Sequence, residues 1–265
     1  DWDKPLTLVT VTDASFANEH EYVKDPKGKI HCESHRSQGG ILHLLADPEI
    51  ETGTICRFHL IGFSSNVVKR VCRSTVQAEA YTLRDGIDRA ERLRGVVTDL
   101  FKPLDLSHWV AQSGEFMRHI WFTDCKSVYD SCVAEKQGKI TDKRLSIEFS
   151  AFRQDLWRVA GQHKGDPHYS DSRPETPTDE IRWIDTDIMP ADCLTKQMDT
   201  DFLREFLRSN YWDTAQPHAS KLKKKAKSES RKACKERLRS ENTESTSAST
   251  SHDTPASDQE YESAD

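Results

Sequence analysis

Apolar residues recur along the chain in short runs that predict β-strands. Five runs combine β-branched, aromatic and other apolar residues and are bounded by polar or turn residues. They are residues 6–12 (LTLVTVT), 39–47 (GGILHLLAD), 55–63 (ICRFHLIGF), 119–124 (HIWFTD) and 181–185 (IRWID). The first three follow one another through polar links, which is typical of an antiparallel meander.

Elsewhere, apolar residues spaced by three and four positions predict helices. Ser74 and Gln77 form a capping-box pattern ahead of the first helix, whose apolar stripe continues to Leu93. Further helices are predicted around 128–132, over 141–159, over 189–196 (MPADCLTK) and over 199–209. The predicted order is β-β-β-α-β-α-α-β-α, with a polar loop at 161–180.

The composition divides the chain into a folded part and a solvated part. Hydrophobic residues make up 35% of the chain and charged residues 31%, and the mean hydropathy of −0.76 is polar for one globule. We therefore predict a folded domain at 1–214 and a disordered tail at 215–265. The tail contains a basic stretch, 221–239, followed by a segment rich in Ser, Thr and acidic residues. The basic stretch could hold nucleic acid, serve as a nuclear-import signal or be solvated.

The seven cysteines include no C-x-x-C pair, which favours free thiols in a reducing compartment over a disulfide framework. No run of about 18 apolar residues and no secretory leader occurs, so we predict an intracellular protein, cytoplasmic or nuclear, without a membrane span. The net charge of −6 argues against a uniformly basic nucleic-acid binder. Because the chain lacks an initiator Met and begins almost in a strand, we expect a fragment of a longer protein.

Four acidic residues stand out. Asp13 and Asp124 end the first and fourth strand runs, Glu79 lies in the first helical pattern, and Asp192 opens a late helix. Taken singly, each aspartate could serve a turn, an N-cap or a helix dipole. Glu79 is harder to explain, because it lies on or beside the buried stripe. If the fold brings the four together, their repulsion requires a divalent cation, as in a metal-dependent phosphodiester hydrolase.

Four sequence blocks resemble the ribonuclease H domain of Ty1/copia-type retrotransposon polyproteins. They are VTDASFAN (11–18), RSTVQAEAYTL (73–83), WFTDCKSV (121–128) and IDTDIMPADCLTK (184–196). They occur in the family's order and at similar spacing, and the resemblance spans about residues 6–210. The chain departs from the family at Ser15, where a second acid is common, and at Cys125-Lys126, where the family often has Asn-Gln. A weaker fifth block at 142–154 lacks the family's His.

The resemblance implies a ribonuclease H-like α/β fold: a five-stranded mixed sheet, with an antiparallel meander and parallel strands, and helices on both faces. It implies that Asp13, Glu79, Asp124 and Asp192 bind two Mg²⁺ ions, for which Mn²⁺ can substitute. Asp13 would bridge the ions, Glu79 and Asp124 would serve the leaving-group side, and Asp192 would hold the ion that delivers water. Hard oxygen ligands suit this metal.

The implied activity is endonucleolytic hydrolysis of the RNA strand of RNA–DNA hybrids during retrotransposon reverse transcription. The implied partner is a reverse-transcriptase domain that precedes this one in the polyprotein. Five cationic residues near the acids are candidates for phosphate contacts or for ordinary solvated charge. They are Lys69, Arg70, Arg73, Lys126 and Lys196.

Two other functions remain to be weighed. The chain could be a catalytically inactive nucleic-acid-binding or scaffolding remnant of a retroelement polyprotein, which a cleavage assay would distinguish. A transposase or integrase of the DDE type is disfavoured, because its Glu comes last in order whereas Glu79 comes second. The spacing of His20, His31, Cys32 and His35 fits no compact zinc pattern.

Overall fold

The computed structural model describes residues 5–53, 55–134, 138–156 and 179–215, without the side chains of 19–23 and 31–34. These residues belong to one compact unit, Asp1–Gln216, and the second unit is Pro217–Asp265. The predicted disordered tail, apart from Ala215, lies outside the described residues, and so does most of the predicted loop at 161–180.

The strands of the described residues form one mixed sheet. They are β1 (Thr7–Lys24), β2 (Ile30–Ala46), β3 (Ile55–Val67), β4 (Arg118–Thr123), β5 (Asp179–Trp183) and β6 (Tyr211–Asp213), in the order β5-β4-β1-β2-β3-β6. β1, β2 and β3 form an antiparallel meander, whereas β4 pairs in parallel with both β1 and β5. The predicted α/β class, a mixed sheet with an antiparallel meander, parallel strands and helices on both faces, is confirmed, but the sheet has six strands rather than the predicted five. The sixth strand was not predicted.

Five α-helices accompany the sheet in the described parts of the chain. They are α1 (Thr75–Phe101), α2 (Trp109–Phe116), α3 (Lys126–Val133), α4 (Lys143–Leu156) and α5 (Asp201–Ser209). α2 was not predicted. The helix predicted over 189–196 is instead a short 3₁₀ segment, Pro190–Leu194. The last predicted residues of α4, 157–159, lie outside the described residues. None of the described helices combines the length and the apolar composition needed to cross a lipid bilayer.

The sheet has a hydrophobic core on each face, because successive strand residues point to opposite sides. On one face, Val9 and Val11 of β1 belong to a core that includes the 3₁₀ segment and α5. On the other face, Trp121 of β4 packs with α1, α3 and α4. At the end of β1 where Asp13 lies, the sheet is therefore flanked by the 3₁₀ segment on one face and by α1 on the other.

The N-terminal end of α1 is set by local hydrogen bonds. The Ser74 side chain accepts a hydrogen bond from the Gln77 backbone N–H at 3.3 Å, as expected for an N-cap. The Gln77 side chain reaches back to the Arg73 backbone N–H, at 2.6 Å, rather than to that of Ser74. Further along, a Cβ at Gly86 would lie 3.0 Å from methyl groups of Thr10 and Thr12. The glycine therefore lets α1 lie close to β1.

A chain of buried polar side chains crosses the sheet from β4 to β2. The Trp121 indole N–H donates to His119 Nδ1 at 2.9 Å, and His119 Nε2 lies 2.7 Å from Thr10 Oγ1. Thr10 Oγ1 is also 3.1 Å from His43 Nδ1. Because His119 Nδ1 accepts, its Nε2–H donates to Thr10, whose hydroxyl can donate to His43. His43 is therefore held as the neutral imidazole.

Acid is expected to destabilise the protein through His43. Burial, with the nearby Arg89 charge, lowers the pKa of His43 from 6.5 to about 4. Below pH 6.5 the unfolded chain binds a proton that the folded chain does not, so stability falls as the pH drops from 6.5 to about 4. The loss amounts to about 3 kcal/mol, since each pKa unit is about 1.4 kcal/mol.

Urea unfolding of wild type and of His43→Gln at several pH values measures this effect. Glutamine cannot titrate but keeps an acceptor for Thr10. The difference between the two stabilities is expected to change by about 3 kcal/mol over this interval. A constant difference would show that His43 is not the titrating group. The comparison is needed because the raised pKa of Asp13 acts in the opposite direction over the same pH range.

Candidate metal centre

The parallel pairing of β1 with β4 brings two of the predicted acids together. Thr12 is in register with Thr123, so Asp13 and Asp124 follow on neighbouring strands at the same end of the sheet. Glu79 lies in the second turn of α1, which is held on this sheet by Gly86. The three carboxylates thus come from three elements that the tertiary fold assembles.

The carboxylates of Asp13, Glu79 and Asp124 offer ligand atoms that all lie within 4.8 Å of one another. Asp13 is 1% exposed and Glu79 is 4% exposed. Glu79 Oε2 is buried and has no hydrogen-bond partner among the described residues. A buried, unpartnered carboxylate oxygen is costly, and a cation shared by the three groups would remove that cost.

Asp192 lies near these carboxylates but comes from the 3₁₀ segment, on the face of the sheet opposite α1. It does not belong to the three-carboxylate group. The 3₁₀ segment lies against β2, where a Cβ at Gly40 would be 2.7 Å from Leu194 Cβ. Lys196 Nζ is 2.6 Å from Asp192 Oδ1 and 3.5 Å from Asp13 Oδ1. The fourth predicted acid is therefore connected to the others through an ammonium group.

Three residues that the sequence analysis did not single out hold the acids in place. The Thr195 hydroxyl donates to Asp13 Oδ2. The Thr186 hydroxyl donates to Asp124 Oδ2 at 2.9 Å, and the Trp183 indole N–H donates to the Asp124 backbone oxygen at 2.8 Å. Thr186 and Thr195 lie in the sequence block at 184–196, so the motif could have pointed to them as residues of the site. The contact of Trp183 needed the parallel pairing of β5 with β4.

Burial and mutual repulsion make these carboxylates hard to ionise in the metal-free protein. Burial raises the pKa of Asp13 to about 6, although the Thr195 hydroxyl and the Lys196 charge oppose the change. Burial, together with the charges of Asp13 and Asp124, raises the pKa of Glu79 well above its usual value. Burial also raises the pKa of Asp124. Such clustering of perturbed acids is typical of a functional site.

The donor set fits a hard divalent cation. The ligand atoms are carboxylate oxygens, which Mg²⁺ and Mn²⁺ favour, with no His or Cys within the group. Among the described residues, this is the one group of three or more such side chains with metal-binding spacing. Asp13, Glu79 and Asp124 could hold one ion, and Asp13 with Asp192 could contribute to a second.

The five predicted phosphate-contacting residues differ in their surroundings. Lys69 and Arg73 are exposed, and Lys69 lines a groove between α1, the middle of β2 and the end of β3. Arg70 pairs with Glu148 and lies over the Tyr81 ring. Lys126 pairs with Asp130, whereas Lys196 alone contacts the acids of the site. Nucleic-acid contact stays a prediction for all five.

Neutralising one acid is expected to stabilise the metal-free protein. In Asp124→Asn the amide oxygen can still accept from Thr186, while the repulsion with Glu79 and Asp13 is relieved. The gain is expected to be about 1 kcal/mol, which is about 2–4 °C in melting temperature for a domain of this size. Mg²⁺ should then stabilise wild type more than the variant.

Thermal unfolding with EDTA and with Mg²⁺ tests this expectation. Glu115→Gln, an exposed position on α2, provides the same change of charge away from the site. An equal response of wild type and Asp124→Asn to Mg²⁺ would count against a shared ion.

Comparison with known proteins gives weak structural matches. No protein-family model and no curated protein matches the chain. The N-terminal RNase H domain of Rv2228c from Mycobacterium tuberculosis, solved as a fusion with maltose-binding protein, has a TM-score of 0.38 and 11% identity, over 77% of this chain and 96% of that one. LC11-RNase H1, isolated from compost by a metagenomic approach, has a TM-score of 0.38 and 12% identity, over 71% and 92%.

Proposed function

We propose that the protein is a ribonuclease H-type endonuclease that hydrolyses the RNA strand of RNA–DNA hybrids with two Mg²⁺ ions. The observation that carries this proposal is the convergence of Asp13, Glu79 and Asp124, with Asp192 joined to them through Lys196. These are the four acids of the ribonuclease H-like sequence blocks. They are distant in sequence, and packing alone gives no reason to bury them together.

Each residue of the site has a task in this proposal. Asp13 belongs to the three-carboxylate group, with one oxygen oriented by the Thr195 hydroxyl and the other facing Lys196. Glu79 and Asp124 would supply the remaining oxygens of one ion position, and Asp192 would supply oxygens of the other. When bound, the ions would activate water and neutralise charge on the attacking and leaving oxygens. The protein's contribution is to hold the oxygens in fixed positions before the substrate arrives.

The substrate preference follows from how hybrids can be recognised. A hybrid presents 2′-hydroxyls across a wide minor groove, so a protein can select it by shape and sugar contacts. Cleavage would then depend little on sequence. We further propose that the domain comes from a Ty1/copia-type polyprotein and acts beside a reverse-transcriptase domain, since the four blocks match that family's order and spacing. Such a domain would work inside the cell, in the cytoplasm or nucleus.

A cleavage assay tests the proposed activity. Wild-type protein is incubated with an RNA–DNA hybrid labelled on the RNA strand, with Mg²⁺, with Mn²⁺ or with EDTA. Single-stranded RNA, double-stranded RNA and double-stranded DNA of the same sequence serve as comparison substrates. We expect metal-dependent cuts within the RNA of the hybrid. Tight hybrid binding without cleavage in either metal would instead support a scaffolding remnant.

A further inference from the structure

The Lys196 ammonium lies where a cation would be expected between two acids of the site. It is 2.6 Å from Asp192 Oδ1 and 3.5 Å from Asp13 Oδ1. Asp192 and Lys196 are separated by one helical turn, and the Lys196 backbone N–H donates to the Asp192 backbone oxygen at 3.0 Å. The ammonium is thus held over the acids by its own backbone segment.

The two halves of the site differ in how their charge is balanced. Glu79 and Asp124 have no ion pair with any lysine or arginine among the described residues, and Glu79 Oε2 has no hydrogen-bond partner there. Asp13 and Asp192 instead share the Lys196 ammonium. One half is ready to accept a cation, whereas the other half already contacts one.

We propose that Lys196 acts as an internal cation that one Mg²⁺ ion must displace from between Asp13 and Asp192. This inference rests on the proposed two-ion site and adds an order of events. The ion bound by Asp13, Glu79 and Asp124 displaces no side chain and binds first. The ion that uses Asp192 binds second and more weakly, because its gain is reduced by the loss of the lysine contacts.

Displacement would give Lys196 a second task. Its ammonium sits on a flexible four-carbon stem and donates up to three hydrogen bonds. Once released, it stays tethered four residues from Asp192, beside the proposed second ion position. It can then contact a phosphate oxygen of the substrate. Substrate binding and occupation of the second ion position would therefore favour each other.

Mg²⁺ titration of the metal-free protein by calorimetry tests the proposal in the absence of substrate. Lys196→Met is expected to tighten the weaker ion position by about tenfold, which is the lower end of the value of a hydrogen bond to a charged group. The metal-free variant should also melt below wild type, because Asp13 and Asp192 lose the ammonium that contacts them. Saturating Mg²⁺ should remove most of that difference in melting temperature.

Two control variants distinguish displacement from a general change of charge. Lys102→Met makes the same change about 35 Å from Glu79, at 1.5 Å per residue along α1. Lys126→Met removes a lysine close to Asp124 in sequence, whose ammonium pairs with Asp130. Neither control should tighten the weaker position by more than about twofold. Equal tightening in Lys126→Met and Lys196→Met would overturn the proposal, as would a Lys196→Met protein that binds Mg²⁺ like wild type.

A measurement on the wild-type chain does not depend on a stable Lys196→Met protein. The side-chain ammonium signal of Lys196, followed by ¹⁵N NMR and assigned with Lys196→Arg, should be protected from exchange without metal. It should lose that protection as the second ion binds. A signal that Mg²⁺ leaves unchanged would also overturn the displacement. Hybrid cleavage together with such a negative result leaves the proposed function intact, whereas absent cleavage and absent ion binding would refute the function itself.

Discussion

Asp13→Asn is expected to lower Mg²⁺-dependent cleavage of an RNA–DNA hybrid by more than about 100-fold. Replacing residues that merely support metal ligands typically costs 10–100-fold, so loss of a ligand should cost more. Asp13 is the acid whose carboxylate lies in the three-carboxylate group and also contacts Lys196. Asparagine at this position removes the negative charge of the Asp13 carboxylate from both proposed ion positions. The Thr195 hydroxyl can still donate to the amide oxygen, so the side chain keeps its place.

The initial rate of cleavage under saturating substrate gives the measure, with thermal unfolding as a check of folding. Asp187→Asn is the matched control, because it makes the same substitution at an exposed residue near the site. That control should cleave within about threefold of wild type. In EDTA, the Asp13→Asn protein should unfold at or above the wild-type temperature, because one buried charge is gone. A well-folded Asp13→Asn protein with wild-type cleavage would exclude Asp13 from the metal site.

Arg94→Met is expected to destabilise the protein by about 3–5 kcal/mol, the usual cost of breaking a buried ion pair by removing one partner. Arg94 Nη1 on α1 is 2.8 Å from Asp179 Oδ1 at the start of β5, and the two side chains are 3% and 6% exposed. The same nitrogen lies 3.5 Å from the Met117 backbone oxygen. Without the guanidinium, Asp179 would lose this ion pair while its side chain stays buried.

Urea unfolding of a double-mutant cycle separates loss of the pair from loss of packing. Arg94→Met and Asp179→Leu are each expected to be strongly destabilising, whereas the double variant should recover much of the loss, because no charge is left stranded. A single variant that costs less than about 1 kcal/mol would show that the pair does not tie α1 to β5. Because β5 holds Trp183, whose indole donates to Asp124, the least stable variants should also bind Mg²⁺ less well.

The elements that could be predicted are those in which burial makes apolar residues recur at a regular spacing. The central parts of β1, β2, β3 and β4 each lie between two layers or on a covered face, so their apolar runs mark them. α1 was also predictable, because Ser74 caps it and its buried face repeats every three to four residues. The carboxyl ends of two such strands pointed to Asp13 and Asp124.

Other elements carried too weak a local pattern. β6 is three residues long and, among the described residues, pairs only with Ile55–Arg57. Its position depends on Trp212, which is buried against Phe122 and Phe206. α2 begins at Trp109, and its N-cap residue, His108, makes no side-chain capping hydrogen bond. β1 and β2 continue well beyond their apolar runs into a hairpin that turns at Gly28, which has a φ of 83°. Long-range pairing decides these elements, and a short window of sequence cannot show it.

The segment around Asp192 shows the same limit within the site. A helix was predicted over 189–196, because Pro190 suits a first helical turn, but the backbone forms only a 3₁₀ turn pressed onto β2 at Gly40. That turn points Lys196 between Asp192 and Asp13. The motif included Lys196, but its linear order could not say whether the ammonium would face the acids or the solvent.

The amino-acid sequence by itself determined which residues could carry the chemistry, because four acids stand in patterns where burial or strand ends make their position informative. It also determined the central strands and the long helix that bear three of them. Only the tertiary structure decided that Asp13, Glu79 and Asp124 meet within ligand distance, and that Lys196 stands between them and Asp192. The reason is physical: such distances depend on the pairing of β1 with β4 and on the closeness of helix and 3₁₀ turn to the sheet. Those contacts join residues far apart along the chain.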